Sequence, residues 1–159
     1  MATRLRVLVL SLQSFLVLLT LPVGYRRRSV PDLLKELAHR RTLCELPPVE
    51  VARIVRRISS MRIFRNRLFP RACLRRALTC FAMLSGDRTD ASFVVGVQTA
   101  PNGISAHSWV SIDGQPLGER RSVDDFRVIY TYPEDHPPER GSRARDAQVQ
   151  NALKWLKGT

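Results

Sequence analysis

Cys44, Cys73 and Cys80 are the only thiols in this 159-residue chain, and His39, His107 and His136 the only imidazoles. So sparse and odd a set of thiols excludes a disulfide-stapled secreted scaffold. It fits a reducing compartment, in which any special thiol must be singled out by its neighbours. No Cys or His spacing matches a zinc site and no glycine-rich phosphate loop occurs. No bound cofactor is therefore expected, with ATP dependence left open. Lysine is nearly missing: Lys35, Lys154 and Lys157 stand beside twenty-three arginines. Aromatics are missing from the basic stretch, which holds only Phe64 and Phe69. That absence counts against base stacking, so no nucleic-acid partner is expected. No internal repeat is present.

The chain does hold 44% apolar and 25% charged residues, enough for one packed domain and too apolar for disorder. Its net charge of +12 is concentrated. Residues 26–76 carry fifteen Lys and Arg against four Asp and Glu, whereas residues 77–159 carry nine against ten. Arginine-rich faces suit carboxylate or phosphate contacts, and equally a solvated helix surface.

Arg4 and Arg6 precede nineteen uncharged residues, Val7 to Tyr25, and Arg26, Arg27 and Arg28 follow. The run is just long enough to cross a bilayer. Ser11, Gln13 and Ser14 weaken that reading, and no small-x-small cleavage site precedes the arginines. Pro22 to Gly24 reads as the end of a helix of about sixteen residues. A buried or interfacial helix, a single-pass anchor and a cleaved signal all remain open. If the run spans, the heavier positive flank after it keeps the rest of the chain cytoplasmic; a cytoplasmic location is expected, with membrane-surface contact through residues 7–28 left open.

Ser29-Val-Pro31-Asp32 then opens a short helix to about Arg41, with Leu33, Leu34 and Leu37 on one side. Pro48 and Glu50 start a second, where Val51, Ile54, Val55, Ile58 and Met61 keep helical spacing and Arg53, Arg56, Arg57 and Arg62 lie off the stripe. A third runs between Pro70 and Gly86, with Leu74, Ala77, Leu78, Phe81 and Leu84 facing inward. It puts Cys73 in the first turn and Cys80 two turns deeper. After Gly86 the period changes to that of strands. Ala91 to Val97, Ser105 to Ile112, Gln115 to Arg120 and Phe126 to Tyr132 are expected strands, with a turn at Pro101 to Gly103 and a hairpin at Asp113-Gly114. Pro133 to Arg145 reads as a linker and Asp146 to Lys157 as a closing helix carrying Val149, Leu153 and Leu156 on one side.

Cys73 is the candidate nucleophile. Amide groups and the positive dipole end of a first helical turn lower a thiol pKa, and Arg71, Arg75 and Arg76 add positive field. His107 is the candidate base, as the only histidine within an expected strand, beside Trp109. His39 lies on a basic helix and His136 in the linker. Cys80 reads as a core thiol, and Cys44 has no assigned role.

Cys73-Leu74, Ala77-Leu78, Gly96-Val97, Ala106-His107-Ser108-Trp109-Val110 and Asp113-Gly114, in this order, resemble the transglutaminase-like cysteine proteases of lasso-peptide biosynthesis, the protease half of the B protein. The motifs span about residues 69–121. The resemblance implies an α+β, papain/transglutaminase-like fold, with the Cys-bearing helix packed on a small antiparallel sheet and helices ahead of it. Residues 1–25 would form the apolar helix, 26–68 a basic helical segment and 69–159 the protease core. It also implies Cys73 as nucleophile, His107 as base and an acid on the strand after the turn. The family commonly has an Asn-Asp pair there; this chain has Gly118-Glu119. Glu119 is taken as the acid, with Asp113 as its competitor. A plain two-residue turn would set Glu119 on the face opposite His107, and a one-residue bulge on the same face. The backbone N–H of Cys73 is the first candidate oxyanion donor.

The implied reaction is leader removal from a lasso precursor. The implied partners are that precursor peptide, a leader-recognition protein and a macrolactam synthetase. Residues 1–68 lack a β-rich winged-helix pattern, so leader recognition is expected in a separate protein. An acyltransferase of the same fold and a non-enzymatic basic adaptor are the rival readings.

The two acids are separable. Glu119→Gln should slow turnover by up to roughly 10⁴, as loss of an orienting carboxylate does in comparable triads. Asp113→Asn should be mild, because asparagine serves the same turn. The check is the leader-cleavage rate of each variant with precursor and recognition protein in excess; the opposite order assigns the role to Asp113.

Overall fold

A computed structural model of the chain describes residues 2–40, 46–65, 72–85, 90–101, 103–120 and 122–133. Four helices, α1 (Ala2–Arg27), α2 (Val30–Ala38), α3 (Pro48–Ser59) and α4 (Ala72–Leu84), precede four strands. These are β1 (Ala91–Ala100), β2 (Gly103–Ile112), β3 (Gln115–Pro116) and β4 (Arg127–Tyr132). A 3-10 turn at Arg62–Arg65 lies between α3 and α4. The sheet is antiparallel in the order β3-β2-β1-β4. The fold is thus α+β, as expected.

The helix starts follow local chemistry. Ser29 caps α2 by accepting from the Asp32 N–H, and Pro31 occupies the first turn, where its missing donor costs nothing. α3 has no side-chain cap; it opens with Pro48 in its first turn and Glu50 near the positive end of its dipole. Val51, Ala52, Val55 and Ile58 are its buried face, but Met61 lies beyond the helix and is exposed, so the expected stripe ends one turn early. Likewise α2 stops at Ala38 rather than near Arg41, since the His39 N–H turns back to Glu36 and Leu37.

Two larger expectations fail. The first helix does not end at Pro22. It runs twenty-six residues, through that proline to Arg27. Pro22 is buried on the inward side, and Gly24 lets Leu33 of α2 approach to 3.4 Å of where a Cβ would stand. Burial of this end of α1 offsets the one hydrogen bond that proline removes. The return strand after Asp113-Gly114 was expected to reach Arg120. It is two residues long, with one more ladder bond from Leu117 to Val110 before Gly118 turns the chain away at φ 67°. Asp113 and Gly114 both have positive φ, 50° and 75°, so the turn is a plain two-residue one. Cys44, Pro70, Arg71, Gly86, His136 and the proposed closing helix lie outside the described residues.

Helix α4 is the centre of the molecule. From Leu74 to Leu84 every side chain except Arg76 is buried, so the expected one-sided stripe is in fact burial nearly all round. Leu10, Val17 and Leu21 of α1, Leu33, Leu34 and Leu37 of α2 and Val51 and Val55 of α3 cover one side. Phe93 and Val95 of β1 and Val110 of β2 cover the other. The outer face of the sheet has its own small core of Val94, Trp109 and Val123, with Phe126 against it.

Because α1 supplies core residues along most of its length, it is needed for the fold. Removing residues 1–24 empties the sites of Leu10, Val17, Leu18 and Leu21. Each buried leucine lost costs about 2–5 kcal/mol, and three of them with Val17 amount to about as much as the ~5–15 kcal/mol that holds a domain together. The truncated chain should aggregate or lose its cooperative melt by circular dichroism; a soluble, cooperatively folding fragment would show α1 to be dispensable.

Candidate active site

Cys73 is the second residue of α4, His107 lies mid-way along β2, and Glu119 follows the hairpin. These three come together. His107 Nε2 is 3.0 Å from Glu119 Oε2. An ionised carboxylate only accepts, so Nε2 carries the hydrogen. That leaves Nδ1 as the nitrogen available to the Cys73 thiol; His107 lowers the pKa of Cys73, and Cys73 raises that of His107. The array is continuous: thiol, imidazole, carboxylate.

Glu119 reaches His107 despite the plain hairpin. In strict register, residue 119 would face away from His107. The ladder instead ends at Leu117, whose N–H bonds the Val110 carbonyl at 2.8 Å. Gly118 then turns the chain with φ +67°, a conformation that a side chain strains. A Cβ there would also stand 3.0 Å from the Ala52 Cβ of α3. The change of face thus occurs after the strand, at Gly118, and not in the turn. Asp113 stays exposed at the hairpin tip. His39, the other described histidine, pairs its ring with the Lys35 carbonyl at the end of α2.

Two arginines have specific tasks that the sequence did not reveal. Arg76 Nη2 lies 3.0 Å from both Glu119 oxygens, so one guanidinium holds the carboxylate that also meets His107. Its position was legible in principle, since it follows Cys73 by one helical turn. Arg75 is fully buried and donates to the Phe64 carbonyl at 2.7 Å, which ties the 3-10 turn to α4. Neither is a diffuse source of field at the sulfur, as the sequence had suggested.

The imidazole is also held through its faces. It stacks on Trp109, with centroids 6.0 Å apart, and meets Phe126 at 5.5 Å. Gly96 sits directly across from His107 in the sheet. A Cβ there would lie 2.8 Å from both the Trp109 ring and the Phe126 Cβ, so only glycine leaves room for that pair. Gly96 was part of the sequence motif, but its reason lies in this contact. Phe126 was not anticipated.

Charge settles on the pair in a consistent way. Burial raises the Cys73 pKa, but the His107 hydrogen bond and charge outweigh it, helped by the Ser108 side chain and the Leu74 N–H, and the net shift is downward. His107 is pushed up to about 9, first by its bond to Cys73 and then by Glu119. Burial raises Glu119 too, but His107 and Arg76 bring it below the usual carboxylate range. Cys80, by contrast, is pushed up to about 12 by burial and is inert. The arrangement therefore favours thiolate and imidazolium over the neutral pair. Among the described residues no cluster of three His, Cys, Asp or Glu side chains could hold a metal ion.

A Cys-bearing helix packed on an antiparallel sheet that carries histidine, with an acid behind the imidazole, defines a papain/transglutaminase-like class of protein. A family model described as the transglutaminase-like superfamily matches residues 12–131, and the chain belongs to that superfamily. The match begins inside α1 and ends in β4, so it takes in all four helices and the sheet. No curated protein and no solved structure matches the chain.

A prediction follows from the direction of these shifts. The reactive ion pair exists from the depressed pKa of Cys73 up to about 9, where His107 loses its proton. Iodoacetamide should alkylate Cys73 at a lower pH than the ~8.5 of an ordinary thiol, and Cys80 hardly at all. His107→Ala should move the midpoint of the labelling profile upward, followed by mass spectrometry of the two cysteine peptides. A wild-type midpoint near the ordinary thiol value contradicts the ion pair.

Proposed function

We propose that the chain is a cysteine endopeptidase that removes the leader from a lasso-peptide precursor, with Cys73 as nucleophile, His107 as acid and base, and Glu119 as the residue orienting His107. The superfamily includes both cysteine peptidases and acyltransferases. The observation that carries the reading is the unbroken line of contacts from Arg76 through Glu119 and His107 to Cys73. The motifs around Cys73 and His107 supply the substrate class by their resemblance to the lasso-peptide proteases.

In this mechanism the Cys73 thiolate attacks the carbonyl carbon of the last leader residue. The C–N bond breaks, and the proton on His107 passes to the departing amine, which becomes the N-terminus of the core peptide. Water then attacks the thioester, His107 takes its proton, and the leader leaves with a free carboxylate as the thiolate returns. Glu119 stays ionised and holds the ring in the tautomer required for both transfers. The precursor, a separate leader-recognition protein and a macrolactam synthetase are the partners this function requires. The described residues before α4 are helical, which supports recognition by another protein.

The test is cleavage of precursor in the presence of recognition protein, read by mass spectrometry. Wild type should release leader acid and core amine. Cys73→Ala should release neither while keeping its circular dichroism spectrum. Full cleavage by that variant overturns the cysteine mechanism, and a leader joined to an added amine instead of water indicates acyl transfer.

A further inference from the structure

Helix α1 has two apolar faces, and the fold accounts for one. Leu10, Val17, Leu18 and Leu21 face the core. Leu5, Leu8, Leu12, Leu16, Leu19 and Val23 recur at three- and four-residue steps on the other side, and all are exposed, Leu8 at 66% and Leu12 at 60%. This stripe extends along most of a helix about 39 Å long. Arg4 lies at one end and Arg27 at the other, both exposed. At the Arg27 end the stripe meets a groove of about 400 Å³ between α1 and α2. Leu21, Leu33 and Leu37 line it, with Arg27 on its rim and Arg28 and Arg40 both paired to the one carboxylate of Glu36, a net positive set.

We infer that this face of α1 docks on an anionic lipid surface, with the helix lying in the plane of the interface. An in-plane helix needs an apolar face for the acyl boundary and cations at headgroup level. The leucine stripe supplies the first; Arg4, Arg27 and the groove rim supply the second, with long side chains that reach phosphates while their stems stay in apolar surroundings. Residues Arg4–Gly24 of α1 are long and apolar enough to cross a bilayer, but an in-plane orientation is the one that keeps its packed side in place. The inward side of α1 is committed to α2, α3 and α4, and pulling it into a bilayer would strip the core. A second copy of the chain would meet the same arginines with its own, and the rim of the groove bears a net positive charge that repels a like surface.

The experiment uses the full chain and flotation with vesicles of phosphatidylcholine, alone or with about one-third phosphatidylglycerol. Binding is expected on the anionic vesicles, falling as salt is raised, and near background on the neutral ones. The protein should be released by carbonate. Leu8→Gln, Leu12→Gln and Leu16→Gln together should abolish flotation while the circular dichroism melt is unchanged, because these side chains touch solvent. Arg4→Gln with Arg27→Gln should weaken binding by about an order of magnitude, given the share of each cation near an anionic surface. Equal binding to neutral vesicles, resistance to carbonate, or no loss in the leucine variant overturns the inference. So does a lipid-free dimer that the leucine variant abolishes, which would assign the stripe to a second copy. None of these outcomes bears on peptide cleavage, so this inference and the peptidase reading fail separately.

Discussion

The carboxylate of Glu119 is the constraint from which the site is built. With only 11% of its side chain exposed, it has largely lost water, and an ionised carboxylate so placed requires charged partners. It has two. Arg76 donates to both oxygens from α4 and His107 donates to one from β2. Arg76 keeps Glu119 ionised; Glu119 keeps His107 protonated at Nε2; His107 favours the thiolate of Cys73. Because Cys73 and Arg76 stand one turn apart on the same helix, α4 fixes both ends of this line. A slide of α4 along the sheet by a single residue, about 1.5 Å, would uncouple the acid and the nucleophile together. The helices that enclose α4 therefore help to set the geometry of the proposed site, although none of them supplies one of its three residues.

Aromatic packing does for the imidazole what Arg76 does for the carboxylate. Trp109 and Phe126 bracket the ring, and they do so only because Gly96 offers no Cβ across the sheet. The register of β1 shifts against β4 between Val95 and Gly96, at the same point. Sheet irregularities of this kind accompany functional sites, where pairing is interrupted to aim a side chain.

Much of this was legible in the sequence, for reasons that can be named. The helices α2, α3 and α4 announce themselves by capping residues and apolar spacing, and the hairpin by Asp113-Gly114, all signals within a few residues of the feature. Cys73 and His107 stood out because rarity left few competitors and each lay on an informative element. What was missed depends on packing between distant segments. Pro22 reads as a helix end by its local chemistry, and only its burial in the fold overrides it. The full burial of α4 is a property of its neighbours. The link from Arg76 to Glu119 spans forty-three residues, and from the sequence alone Gly118 looked like a departure from a motif. Its positive φ turns that departure into the device that brings Glu119 to the histidine.

The two-faced character of α1 has a consequence for biosynthesis. Its inward face waits for α4 and the sheet, yet α1 is made first. At about 5–20 residues per second, the ribosome takes several seconds to add the segment that will cover it. Throughout that interval both apolar faces are bare, and a nascent chain in this state is a substrate for any holdase or bilayer nearby. The order of synthesis therefore favours an early resting place for the outer face, from which the remaining helices can close over the inner one.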